Sequence, residues 1–175
     1  MSKLGALAAS LTFIAFLIGV VGLIIPLWFT TEISEGTTVV HVKKKIYTGL
    51  WHTCSKTEYS VSDDYECDVI IDTNLDTHGL KAVQATTIIG LSVLLILLVI
   101  LVVDLLCLDH KKWLSKVAGV IAMSSGGLLL IGPIVYATDV RNDYNFDVLE
   151  LNAGFGLTIV AAVLALMCGI IACLM

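Results

Sequence analysis

The chain alternates between long apolar runs and short polar stretches. Four runs stand out, at residues 4–27, 81–108, 117–137 and 151–175. About 20 apolar residues at 1.5 Å rise cross the ~30 Å hydrocarbon of a bilayer, so each run is expected to be a membrane-spanning helix. The first run has Lys3 before it and no small-residue cleavage pattern at its end. It is also longer than the roughly 7–15-residue core of a signal peptide, which makes it a retained helix. Pro26 and Trp28 close it, the tryptophan in the interfacial setting that suits both an apolar ring and a polar N–H. Pro133 is expected to bend or loosen the third run near its end. On the fourth, Ala161, Ala165, Gly169 and Cys173 recur every four residues, a small-residue face for close helix packing in lipid.

The polar stretches have their own pattern. Within residues 28–80, Thr37 to Lys43 alternates, with Val40 and Val42 on one face and Val39, His41 and Lys43 on the other. Period two predicts a half-buried strand. Ile46 to Cys54 reads as a second strand and Tyr65 to Ile71 as a third, with Ser55 to Glu66 as an acidic, turn-like loop between them. An antiparallel sheet follows. Residues 109–116 form a tight link and residues 138–150 a medium loop.

Composition agrees with a membrane protein. The 175 residues are 58% apolar and 14% charged, where soluble domains run at about 45–50% and about 25%. Mean hydropathy is +0.96. The net charge of -5 is concentrated in the polar stretches. No basic patch of nucleic-acid type exists, and no linker or low-complexity tract divides residues 1–175, which read as one domain. An even number of spans puts both termini on one side. Lys3 and the link lysines Lys111, Lys112 and Lys116 outweigh the lone Arg141 of the medium loop, which favours cytoplasmic termini. Lys43, Lys44 and Lys45 argue the other way, but lie near the limit of distance over which the rule counts charges. The cysteines decide it, because a bridge needs the oxidising side.

Cys54 and Cys67 share the long loop, whereas Cys107, Cys168 and Cys173 lie in apolar runs or at their inner ends. A disulfide between Cys54 and Cys67, clamping adjacent strands, is therefore expected. A metal site from His52, Cys54 and Cys67 lacks zinc-type ligand spacing, and no metal or cofactor is expected. No C-x-x-C pair and no nucleophile–base set is present, so no catalytic residues are assigned and an enzyme is the least favoured class. His41, His52, His78 and His110 are scattered over loops and read as solvated. The acids Glu58, Asp63, Asp64, Glu66, Asp68, Asp72 and Asp76 form a cluster. Its plain reading is a solvated surface; its sharper one is a field attracting cations at a narrow passage. Asp104, inside the second run, is close enough to its inner end to reach the headgroups. Cys107 and Cys173 are candidates for S-palmitoylation. Tyr144 and Phe146 in the medium loop are candidates for contact with a partner or for packing on the sheet. No N-glycosylation sequon occurs.

Trp28, Gly49-Leu50-Trp51, Cys54 and Cys67, in the first loop of a four-span chain, resemble the W…GLW…C…C signature of the claudin/PMP22/epithelial-membrane-protein superfamily. The resemblance covers nearly the whole chain and is claudin-like. Leu80-Lys81-Ala82-Val83-Gln84-Ala85 is similar to the family's start of the second span. Tyr136-Ala137 and Asp143-Tyr144-Asn145 are similar to the end of the third span and the second loop of claudins. Two features depart from claudins: the cysteine spacing is a few residues longer than usual, and Val83-Gln84-Ala85-Thr86 is closer to the PMP22/epithelial-membrane-protein branch. The chain stops at Met175 without a PDZ-binding terminus of the claudin kind, so no PDZ scaffold is expected from this C-terminus.

The resemblance implies a left-handed four-helix transmembrane bundle. It further implies an extracellular antiparallel sheet built from loop 1, with one strand added by loop 2. It implies a plasma-membrane protein of cell–cell junctions, in contact with lipid and associating with itself or related claudin-like proteins within one membrane and across the gap. The function implied is a paracellular barrier or cation-favouring pore. The alternatives are a PMP22-type adhesion or membrane-organising protein and an auxiliary subunit of an ion channel. In claudins the residue after the second cysteine helps set charge preference. Here that residue is Asp68, with Asp63, Asp64 and Glu66 beside it. Trp28 and Trp51 are expected to anchor the sheet to the bundle.

Overall fold

A computed structural model describes residues 3–37, 40–58, 63–70, 78–106, 112–140 and 150–174. The four apolar runs are helices: α1 (Lys3–Ile24), α2 (His78–Leu106), α3 (Lys112–Val135) and α4 (Ala153–Leu174). All four are long and apolar enough to cross a membrane. They close into a ring in which α1 packs on α2, α2 on α3, α3 on α4 and α4 on α1.

The bundle is apolar outside as well as inside. Its centre mixes alanines (Ala15, Ala118, Ala122, Ala162, Ala165) with leucines (Leu91, Leu94, Leu97, Leu101, Leu129), while Ile89, Ile96, Val99, Ile131 and Ile170 face outward. Outward apolar side chains cost nothing in lipid, and small inward ones let backbones approach. Three of the four recurring small positions on α4 are buried, Ala161, Ala165 and Gly169, while the fourth, Cys173, is exposed near the helix end. A Cβ added at either Gly119 or Gly169 would lie 3.0 Å from the other's carbonyl oxygen. Hydroxyls on the spans bond back into their own helices, as in Ser10 to Ala6, Thr86 to Ala82, Ser92 to Ile88 and Ser124 to Val120. This satisfies groups that would otherwise have no partner in hydrocarbon.

Helix ends differ from the apolar run ends. The last bond of α1 is from the Ile25 N–H to Val21. Pro26 has no N–H to continue it, so residues 25–28 leave the helix although they are apolar. At 29 residues, α2 is about 43 Å long, enough to cross the hydrocarbon and rise above it. In α3 the helix passes through Pro133 to Val135, then widens into a π turn at Tyr136–Val140. The loosening expected at Pro133 thus falls just beyond it. There the Thr138 hydroxyl donates to the Ile134 and Val135 carbonyls.

The sheet comprises β1 (Phe29–Thr37), β2 (Val40–Thr48), β3 (His52–Glu58), β4 (Asp63–Val69) and the two-residue β5 (Glu150–Leu151). Their order is β4-β3-β2-β1-β5, antiparallel throughout. The architecture is as expected, but two strand assignments and one loop assignment are corrected. The strand placed at Thr37 to Lys43 straddles the link between β1 and β2. The one placed at Ile46 to Cys54 joins the end of β2 to the start of β3 across a turn. The loop placed at Ser55 to Glu66 holds parts of β3 and β4. The cause is composition. The strand Phe29–Thr37 reads FTTEISEGT, with threonine where a half-buried strand would show large apolar residues, so period two gives no signal there.

Candidate functional site

The joint between sheet and bundle begins with a consequence of Pro26. In a continuing helix the Gly22 carbonyl would accept from the N–H at position 26. Proline leaves it without that donor, and the Trp28 indole Nε1–H takes its place at 2.8 Å. Trp28 is 0% exposed, and its indole N–H caps a helix end inside the protein. The ring lies 5.0 Å from Tyr136 and, edge-on, 6.3 Å from Phe155, both within the range of favourable aromatic pairs. The Trp28 backbone N–H donates to the Thr48 carbonyl, the Asn152 backbone N–H to that of Trp28, and the Gly154 backbone N–H to that of Leu27. One tetrapeptide after α1 therefore ties together α1, β2 and α4.

The Gly49-Leu50-Trp51 motif is a turn between β2 and β3, not strand. The Gly49 N–H donates to His52 and the Ile70 N–H to Trp51. The Leu50 carbonyl accepts from Gln84 Nε2 of α2 at 2.6 Å. Leu50 is fully buried, in one cluster with Trp28, Phe29, Ile70, Val83 and Tyr136, and half-buried Trp51 packs at its border. Gly49 allows the turn to sit on the chain after α1, because a Cβ there would lie 2.6 Å from Pro26 Cα. Both tryptophans anchor the sheet, as expected. Leu50, Gln84 and Tyr136 were missed as anchors. A glutamine opening an apolar run was the available signal for Gln84.

Gly154 is as tightly placed, its virtual Cβ lying 2.7 Å from Trp28 Cδ1 and 2.9 Å from Ile25 Cγ2. Gly154→Ala is expected to destabilise by about 1–3 kcal/mol through overpacking. Thermal unfolding in detergent checks this, and an unchanged midpoint would contradict the tight joint.

Cys54 and Cys67 form the expected disulfide. They are direct cross-strand partners with a Cα–Cα distance of 4.1 Å. Cys54 is buried and Cys67 exposed. The bridge consumes both thiols, so neither can join His52 as a metal ligand. Among the described residues no group of three His, Cys, Asp or Glu is placed to hold a metal. Asp68 and Glu66 are exposed on β4, directly opposite Thr53 and Ser55. Asp63 and Asp64 stand in register with Glu58 and Thr57. His52 is exposed at the start of β3, and Cys173 is exposed near the end of α4. Tyr144, Phe146, Cys107, His110, Asp72 and Asp76 lie outside the described residues.

Four membrane-length helices carrying a disulfide-stapled antiparallel sheet define a four-span membrane protein with a β-sheet head. The chain belongs to the PMP-22/EMP/MP20/Claudin family, whose model matches residues 4–172. A search among curated proteins found no match. The family comprises structural membrane proteins rather than enzymes.

Proposed function

We propose that this protein is a claudin-like component of cell–cell junctions that self-associates to form a paracellular barrier with a cation-favouring passage. The sheet faces the outside of the cell and both termini the cytoplasm. Support for this sidedness comes from Lys3 and the link lysines, which mark the cytoplasmic side, and from the disulfide, which needs the oxidising one. The observation that carries the reading is the sheet itself. It is stapled at Cys54–Cys67 and fixed to the bundle through Trp28 and Leu50. It therefore holds Asp68, adjacent to the bridge and exposed, at a set height above the membrane. A fixed carboxylate beside a narrow aqueous path raises the local cation concentration.

Expression in cells that lack junction strands, followed by freeze-fracture imaging, tests the assembly: strands are expected, and their absence would sink it. Dilution potentials across such a monolayer test the passage. A unit charge at about 4 Å in water is worth about 1 kcal/mol, so Asp68→Asn is expected to lower the sodium-over-chloride preference by up to about fivefold. An unchanged preference would remove Asp68 from the account.

A further inference from the structure

The two ends of the bundle differ in charge. At the end that carries the link of residues 109–116, Lys3, Lys111, Lys112 and Lys116 outnumber Asp104 and Asp109. At the sheet end, acids outnumber cations in both polar stretches, residues 28–80 and 138–150. Anionic lipid headgroups are therefore attracted to the link end and repelled from the sheet end.

At the link end, packing turns one charged surface of α3 outward. The Ser115 hydroxyl donates to the Ala172 carbonyl of α4 at 2.7 Å, and Gly119 is buried against Gly169. These contacts set the rotation of α3 about its axis. Trp113 and Lys116 lie three residues apart, on one side of the helix, and both are exposed, Trp113 by 72%. Val120, Ile131 and Ile134, also exposed, continue the same stripe at helical spacing. In a bilayer the stripe meets lipid tails, and its Trp113–Lys116 end meets headgroups. The apolar span begins at Trp113, the interfacial depth that suits an indole. Lys116 stands about 4.5 Å further along the axis. Helical side chains tilt towards the helix N-terminus, which for α3 is the link end. The lysine stem thus lies along apolar surface and returns its ammonium to the level of Trp113.

We infer that Trp113 and Lys116 form a binding site for a phospholipid of net negative charge. The Lys116 ammonium pairs with the headgroup charge. The indole N–H donates to an ester carbonyl of the lipid while the ring packs on its apolar border, and the tails run along Val120 and the stripe beyond. A zwitterionic headgroup is the poorer fit, because its own ammonium offsets its phosphate and meets the lysines of the link. The occupant is a lipid rather than a peptide, because the apolar stripe that continues the site lies within the span. The site is independent of the junctional assembly proposed above.

Fluorescence quenching by brominated acyl chains tests it. The full chain is reconstituted in symmetric phosphatidylcholine vesicles in which a fixed fraction of the lipid is brominated phosphatidylserine or, in parallel, brominated phosphatidylcholine. Both leaflets then match, so the direction of insertion does not matter. Trp28 is buried and Trp51 half-buried, and Trp113→Phe gives their share of the signal by difference. Trp113 is expected to be quenched more by the phosphatidylserine, with a relative affinity of about fivefold over phosphatidylcholine, the effect of one lysine near a membrane surface. Lys116→Gln is expected to bring that ratio near one and to leave quenching by brominated phosphatidylcholine as in the wild type, a split that a merely structural lysine would not produce. An unchanged thermal midpoint, expected for exposed substitutions, confirms that the variants fold. Equal quenching of wild-type Trp113 by the two lipids would overturn the inference. So would a phosphatidylserine preference that survives Lys116→Gln, which would place the lipid elsewhere on the bundle.

Discussion

Trp28→Ala is expected to loosen the head from the bundle and to lower stability by about 3–5 kcal/mol, the usual cost of emptying a buried aromatic site. Trp28 has no exposed surface and shares its cluster with Leu50, Phe29 and Tyr136, so the cavity would open at the junction of two elements rather than inside one. The substitution also removes the donor that replaces the missing N–H of Pro26 at the Gly22 carbonyl, leaving a buried acceptor unsatisfied. Natural domains are stable by about 5–15 kcal/mol, so this loss is a large fraction of the total. The expected readouts are a lower thermal midpoint in detergent and poor delivery to the cell surface. Trp28→Phe separates the two contributions: it retains most of the ring but not the N–H, and is expected to cost about 1–3 kcal/mol. A Trp28→Ala protein that melts like the wild type would refute this account of the joint.

Cys54→Ser is expected to cost about 3 kcal/mol. The bridge closes a loop with a sequence separation of 13, and constraining the unfolded chain over a loop of about that length is worth about this much. The effect should concentrate on β4, an edge strand whose only strand partner among the described residues is β3. Non-reducing gels check for the bond, since its loss changes mobility; a variant that runs with the wild type counts against the bridge. Thermal unfolding checks the magnitude. Cys67→Ser should match Cys54→Ser, and the double variant should match either single one rather than their sum, because all three remove one bond.

Much of this was legible in the chain. Four runs of about 20 apolar residues can only be spans, because bilayer thickness and helical rise leave no alternative length. The cysteine pair was legible by the same kind of elimination, since only Cys54 and Cys67 lie outside the apolar runs and their ends. The small face on α4 was visible as a period of four. The strands were read less well, for a definite reason. Among the described residues the sheet's buried large apolar side chains lie at its bundle end, where Phe29, Leu50 and Ile70 meet the helices, and β2 interrupts its apolar alternation with Lys43, Lys44 and Lys45. Periodicity reports burial, and where burial is absent only pairing defines the strand.

Trp28 shows the other limit. Its position after an apolar run spoke to its amphipathic character and not to its partners. Its actual role depends on Pro26 two residues earlier, on Gly22 six residues earlier, and on Tyr136 and Phe155 more than a hundred residues away. By itself the sequence determined the number of spans, the polar segment that becomes the head, the pair that staples it and the candidate acid beside the staple, because length, polarity and chemistry are local properties. Only the tertiary structure decided that Gly49-Leu50-Trp51 is a turn seated on Pro26 and held by Gln84. Only it decided that Trp28 caps a helix from inside the core, and that Lys44, Glu66 and Asp68 share one face of the sheet. Those three facts depend on register and on contacts between distant segments, which no local pattern encodes.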